Sequence, residues 1–187
     1  MRINKKIIPK ILIVFFILAC LCVACAEKPA QVPMNKKPVD HTDANIMEAN
    51  RGLVDIEDEY IRQYVDSMKL DLDTTNIGIR YKILSSNPSG VMAKRQQGVK
   101  ITYSLKAFDA TEFCSNYTDR TEIVNIGTGD LPRGMDEAVL MLHQGETGEF
   151  IIPSYLAYGV VGKGQCIASR TPIYCRITLM VVDIQKK

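Results

Sequence analysis

The sequence predicts an α+β domain in which an antiparallel sheet covers one short helix. Three observations predict it. Apolar and polar residues alternate in three separate runs after Ile77, the period of strands with one face buried and one wet. Between the second and third runs lies a stretch whose Met135, Val139 and Leu142 fall on one side of a helix. The composition, 47% hydrophobic and 24% charged over 187 residues, is that of one ordinary globular domain with an appendage.

The chain opens with a segment that does not belong to that domain. Arg2, Lys5, Lys6 and Lys10 form a basic start, and residues 11–26 are sixteen uninterrupted apolar or cysteine residues. A membrane span needs about 20 apolar residues, whereas a basic flank followed by a run of this length and small residues suits a secretory signal. The endings "ILAC" and "CVAC" resemble the lipobox at which bacterial lipoprotein signals are cut before a cysteine that then carries lipid. Val23 and Ala24 suit the two positions before the cut, and polar sequence begins at Glu27, which favours Cys25 as the lipidation site. Cys20 is the alternative, and an uncleaved single-span anchor is a third. Removal of residues 1–24 takes four of the 23 Lys and Arg and none of the 21 Asp and Glu, so the mature chain has a net charge of −2. With no basic stripe and no interleaved aromatics, nucleic acid is not an expected partner.

Residues 25–41 hold three prolines and almost no large apolar side chain; they read as a disordered tether, too polar to bury its own surface. A helical segment with its connector follows over residues 42–76. There Ile61, Tyr64, Val65 and Met68 recur at helical spacing, Asp55 is a candidate N-cap, and Glu57, Asp58 and Glu59 crowd the first turn, where the macrodipole favours them. The pattern fits one amphipathic helix or a short pair broken near Gly52, docked on the following domain or paired with a second copy, of which docking is preferred because the apolar face is short.

Residues 77–187 form the domain. Its strands are marked by Ile79, Tyr81 and Ile83, by Val99, Ile101, Tyr103 and Leu105, and by Ile173, Cys175, Ile177, Leu179 and Val181; its helix is expected over residues 134–143. Beyond the leader the cysteines are Cys114, Cys166 and Cys175, at spacings that match no zinc pattern. Three thiols in an exported protein allow one bridge or serve as small buried residues. His41 and His143 are too few and too far apart for a metal site, and His143 fits a helix-end role. No metal and no cofactor is expected.

The stretch "IPSYLAYGV" places Tyr155 and Tyr158 three apart on one turn, a spacing at which helical side chains share a side. With "GTGDLPRGMDEAVLMLHQGETGEF" before it and "CIASRTPIYCRITLMVVDI" after it, this stretch resembles the FKBP-type peptidyl-prolyl cis-trans isomerases, in the exported bacterial lipoprotein branch. The likeness runs over residues 79–184, and the Leu-Ala-Tyr-Gly turn with its spacing on both sides is the specific part. The resemblance implies a strongly bent antiparallel sheet wrapped around the short helix, with a shallow apolar pocket between them. Carried over position by position, it implies catalytic roles for Tyr158, Phe113 and Tyr103 and a pocket completed by Cys114, Glu122, Leu131, Pro132, Met135, Ile167 and Cys175. Tyr158 would aim its hydroxyl at a substrate carbonyl, and Tyr155 would be rim.

The implied chemistry needs neither nucleophile nor metal. Rotation about a peptide bond faces a barrier of about 18 to 20 kcal/mol, and the unaided X-Pro bond takes about tens to hundreds of seconds to turn. A pocket that strips water from the amide and binds the twisted form better than the planar one lowers that barrier. Several family aromatics are replaced here: Met135 stands for a tryptophan, Cys175 and Glu122 for phenylalanines. Cys114 stands for an aspartate, Pro132 has no N–H to give a bound carbonyl, and Ile-Pro-Pro becomes Ile167, Ala168, Ser169. At about 25 cal/mol per Å² the lost area weakens ligand burial by about 1 to 3 kcal/mol, which predicts slow catalysis and poor macrolide binding. The expected partners are proline-containing exported polypeptides and, through the lipid, the outer membrane of a Gram-negative cell envelope. The alternative is a non-catalytic chaperone or partner-binding module using the same concave face.

Overall fold

The computed structural model describes residues 43–184; the leader, Cys20, Cys25 and the tether lie outside the described residues. Helix α1 (Asp43–Ser67) leads into a six-stranded sheet made of β1 (Asp73–Thr74), β2 (Arg80–Ser85), β3 (Gly98–Ala107), β4 (Arg120–Asn125), β5 (Thr147–Ile152) and β6 (Ile173–Val182). Helix α2 (Arg133–Leu140) lies between β4 and β5. Every pairing is antiparallel, in the order β1-β2-β5-β6-β3-β4.

The ladder of β3 with β6 is the spine. It sets Ile101 opposite Leu179, Tyr103 opposite Ile177 and Leu105 opposite Cys175, so these six share one face and are buried together. Met135, Ala138, Val139 and Leu142 press on that face from the helix side, joined by Phe150 and Ile152 of β5. The alternation expected of β6 holds as far as Leu179 and then reverses: Val181 is exposed and Val182 buried. The register slips between Lys100 and Ile101, so Met180 is the extra residue of a bulge, which turns the following side chains to the other face and bends the strand.

Helix α1 runs unbroken through Gly52 and Asp55. Asp55 is therefore an interior helical residue and not a cap, and the pair broken near Gly52 does not form. Its last half docks on the convex face of the sheet, where Ile61 is fully buried against Phe108 and Ile151, with Tyr64, Val65, Leu72 and Tyr174 around them. Polar clamps fix the angle. Asp58 pairs with the buried Arg80 at 2.6 Å, Tyr60 donates to Asp109 at 2.9 Å, and Glu57 accepts both the N–H and the hydroxyl of Ser154.

Helix α2 stops at Leu140, earlier than expected, and His143 does not cap it. The turn into β5 is organised instead by the buried Glu146, which accepts the N–H of His143 at 2.8 Å and of Asn87 at 2.6 Å, with the His143 ring at 3.1 Å.

Candidate active site

The concave face carries a cluster of three phenols near one edge. Tyr103 points inward from β3 and lies nearly parallel to Tyr117, with ring centroids 6.3 Å apart. Its hydroxyl donates to Glu122 at 3.2 Å. Glu122 is held in turn by an ion pair with Arg120, whose guanidinium covers the Tyr117 ring at 5.4 Å. Tyr158 arrives from the other side, on the turn after Pro153, where Gly159 closes back on the Ser154 carbonyl. Lys163 spans the two rims, its ammonium 5.9 Å from the Tyr117 ring and 5.5 Å from the Tyr158 ring.

The floor is apolar and tightly filled. Leu131, Met135, Ile167 and Cys175 are buried in the main core, and Cys114 joins them. Pro132 caps the start of α2, offering its carbonyl to the N–H groups of Met135 and Asp136. Cys114 and Cys166 form a disulfide, which ties the turn after β3 to the hairpin carrying Lys163 and Ile167. Cys175 remains a buried thiol, pushed up in pKa by burial.

The electrostatics favour the protonated, donating form of Tyr158 and Tyr103. Burial, then the Tyr117 phenol, Cys175 and Glu122, raise the Tyr158 hydroxyl far above its ordinary value. Burial and the Glu122 carboxylate do the same to Tyr103. Tyr103 is committed to Glu122, whereas among the described residues no hydrogen bond engages the Tyr158 hydroxyl. An uncommitted, un-ionised donor above an apolar floor can serve a ligand carbonyl.

The structure brings together Tyr103, Tyr158, Cys114, Glu122, Leu131, Pro132, Met135, Ile167 and Cys175, but not Phe113. That ring lies against Tyr174 at 6.0 Å and under the Lys106 ammonium at 5.7 Å. Tyr174 neighbours Cys175 on β6 and so faces the opposite side of the sheet. The inward place in this connector is taken by Cys114, held by its N–H to Leu105 and by the disulfide. Tyr155 and Tyr158 also part company: Tyr155 donates to the Ile77 carbonyl at 3.0 Å, pinning the connector before β2. Sequence reasoning missed Tyr117, Arg120 and Lys163. Tyr117 sits in a 3-10 turn, Ser115–Tyr117, with no period to flag it; its one signal was an aromatic set among polar residues. Among the described residues no group of three His, Cys, Asp or Glu side chains could hold a metal.

A hollow of about 710 Å³ opens between α1 and the loops behind the Tyr158 turn, lined among others by Leu53, Val54, Tyr60, Phe108, Val160 and Pro172.

Residues 90–180 match the family described as FKBP-type peptidyl-prolyl cis-trans isomerase. The chain is 32% identical over 111 residues to FK506-binding protein 2 of Yarrowia lipolytica, an overlap covering 57% of this chain and 74% of that protein. The chain belongs to the FKBP-type peptidyl-prolyl cis-trans isomerase family. It is also 32% identical over 96 residues to bovine peptidyl-prolyl cis-trans isomerase FKBP10, covering 51% of this chain but 16% of that relative. The chain thus spans a small part of the longer FKBP-type relatives. FKBP-type peptidyl-prolyl cis-trans isomerase FkpA of Aeromonas hydrophila is 26% identical over 147 residues, covering 74% of this chain and 53% of that one. A crystal structure of a peptidyl-prolyl cis-trans isomerase from Pseudomonas syringae superposes with a TM-score of 0.56 at 19% identity, over 70% of this chain and 96% of the other. That likeness concerns the FKBP fold alone.

Proposed function

We propose that this protein is a peptidyl-prolyl cis-trans isomerase of modest rate, anchored by lipid on Cys25 to the outer membrane of a Gram-negative cell envelope and acting on proline-containing exported polypeptides. The observation that carries the isomerase reading is Tyr158: a half-buried phenol whose pKa burial raises, with no internal hydrogen-bond partner among the described residues, beside the apolar floor of Met135, Ile167 and Cys175. A prolyl peptide laid across that floor loses water around its amide, and the Tyr158 hydroxyl holds a flanking carbonyl. The twisted amide is less polar than the planar one, so the site binds it better, which is all that catalysis requires. Glu122, engaged by Tyr103 and Arg120, positions the wall and takes no part in proton transfer.

The test is exchange between cis and trans prolyl peptides with the purified chain. Tyr158→Phe is expected to lower kcat/KM and Phe113→Ala to leave it unchanged, because the latter ring faces away. An uncatalysed rate for the native chain ends the proposal. For the anchor, Cys25→Ser should release the protein from membranes; release by Cys20→Ser alone moves the lipid to that residue.

A second reading, binding of a partner or unfolded chain without catalysis, is favoured by one observation, the apolar hollow under α1. Leu53→Glu should then abolish suppression of aggregation, a property that survives Tyr158→Phe.

A further inference from the structure

We infer that Lys163 is a specificity-determining residue that selects substrates carrying a carboxylate within one residue of the proline; this rests on the isomerase reading above. The charged groups that meet at the phenol cluster are Arg120, Glu122 and Lys163. Arg120 and Glu122 cancel in an ion pair. Lys163 has no ion pair among the described residues, so the rim of the site carries one uncompensated positive charge.

That charge is biased toward the site. The ammonium rests over the faces of Tyr117 and Tyr158, where a cation is attracted by the ring quadrupoles while its N–H groups stay free for an acceptor. The backbone beneath is clamped: Lys163 and Ile167 exchange both of their N–H to carbonyl bonds, at 2.8 and 3.2 Å. Cys166, just before Ile167, is bonded to Cys114. Gly162 permits the hairpin, with φ of +70° and room for no Cβ, since one would stand 2.4 Å from the Ile167 carbonyl oxygen. Lys163 is exposed, and ring contacts at an exposed site attract a cation only modestly, enough to bias the ammonium toward the site before a ligand arrives and so to lower the ordering cost of binding. It stands 5.5 Å from the centre of the Tyr158 ring, and consecutive Cα atoms are about 3.8 Å apart, so a side chain one residue from a proline at Tyr158 comes within its reach.

The experiment measures kcat/KM by exchange NMR on peptides that differ only beside the proline, with Glu, Gln or Leu placed before it and, in a second set, after it. Partly exposed ion pairs predict a preference for Glu over Gln of about two- to fivefold in one of the two positions. The preference should shrink at about 1 M salt, where the Debye length is about 3 Å. It should vanish in Lys163→Met, persist in Lys163→Arg and invert in Lys163→Glu. Equal rates for Glu and Gln peptides in the native chain overturn the inference while leaving the isomerase in place. So does an equal loss on all peptides in Lys163→Met, which would make the residue a loop anchor. No acceleration of any peptide removes the isomerase reading and this one with it.

Discussion

Gly134 is where a single missing atom sets the distance between the helix and the sheet. A Cβ built there would lie 2.2 Å from Ile152 Cγ2 and 3.0 Å from both Cβ and the carbonyl oxygen of Leu156. Ile152 is fully buried and Leu156 nearly so, so neither can step aside cheaply. Alanine at a helical position gains about 1 kcal/mol at most over glycine, whereas overpacking a filled core costs about 1 to 3 kcal/mol. Gly134→Ala is thus expected to destabilise the fold, read as a lower urea midpoint at unchanged slope; equal stability would show that Ile152 relocates. Side chains on regular strands were legible at this scale, because Ile101, Tyr103, Leu105 and Cys175 each obey a period of two. Phe113 and Cys114 were not. They stand in a connector without periodicity, where a shift of one residue exchanges the two faces, and the disulfide that settles the choice is a tertiary contact. Glu146 is equally hidden from a local pattern, since Asn87, whose N–H it accepts, lies 59 residues away in sequence.

At the scale of elements, α1 shows how far local pattern goes. Its helical period was readable from Ile61, Tyr64 and Val65, and so was docking in cis, but its starting point was not. Asp55 looked like a cap because acidic residues follow it, yet Gly52 lies exposed with open space around it, so the helix passes through both. The docking rests on Ile61, fully buried over Phe108 and Ile151. Ile61→Ala removes that plug and is expected to cost about 2 to 5 kcal/mol, measured by chemical denaturation. A cost near zero would mean that the helix lies loose on the sheet. The turn from α2 to β5 adds a pH dependence. Burial pushes the Glu146 carboxyl up, but the N–H groups of His143 and Asn87 and the His143 ring outweigh it and hold the pKa below its ordinary 4.5. A depressed carboxylate contributes stability that is complete above its unfolded pKa and is lost as pH falls through the lower folded value. Glu146→Gln should therefore flatten the acid side of a Tm-against-pH curve below about pH 4.5. A parallel curve, merely displaced downwards, would assign the loss of stability to another carboxylate.

Across the whole molecule, the cystine joins regions that the sheet alone leaves only indirectly connected. Cys114 follows β3 and Cys166 precedes β6, and the sequence separation of 52 between them spans β4, α2 and β5. Closing a loop of that length removes unfolded-chain entropy equivalent to about 4 kcal/mol in the chain-entropy account. The same bond fixes the hairpin of Lys163 and Ile167 against the turn of Tyr117, so stability and site geometry depend on it together. Bonds of this kind form and persist in oxidising compartments, a condition that the proposed export would supply. From the sequence, one bridge among three thiols was foreseeable but its partners were not. The pairing depends on the hairpin folding back over the concave face, while Cys175 is fully buried between its cross-strand neighbours Leu105 and Phe150. Reduction, or Cys114→Ser, is expected to lower Tm by about 10 °C for a domain of this size and to weaken isomerase turnover more than the Ile61→Ala change does, because only the bridge borders the site. In Cys114→Ser the Tm should no longer respond to reductant. A Tm indifferent to reductant in the native chain would mean that the two sulfurs are not joined in solution, and that Tyr117 and Lys163 are brought together by packing alone.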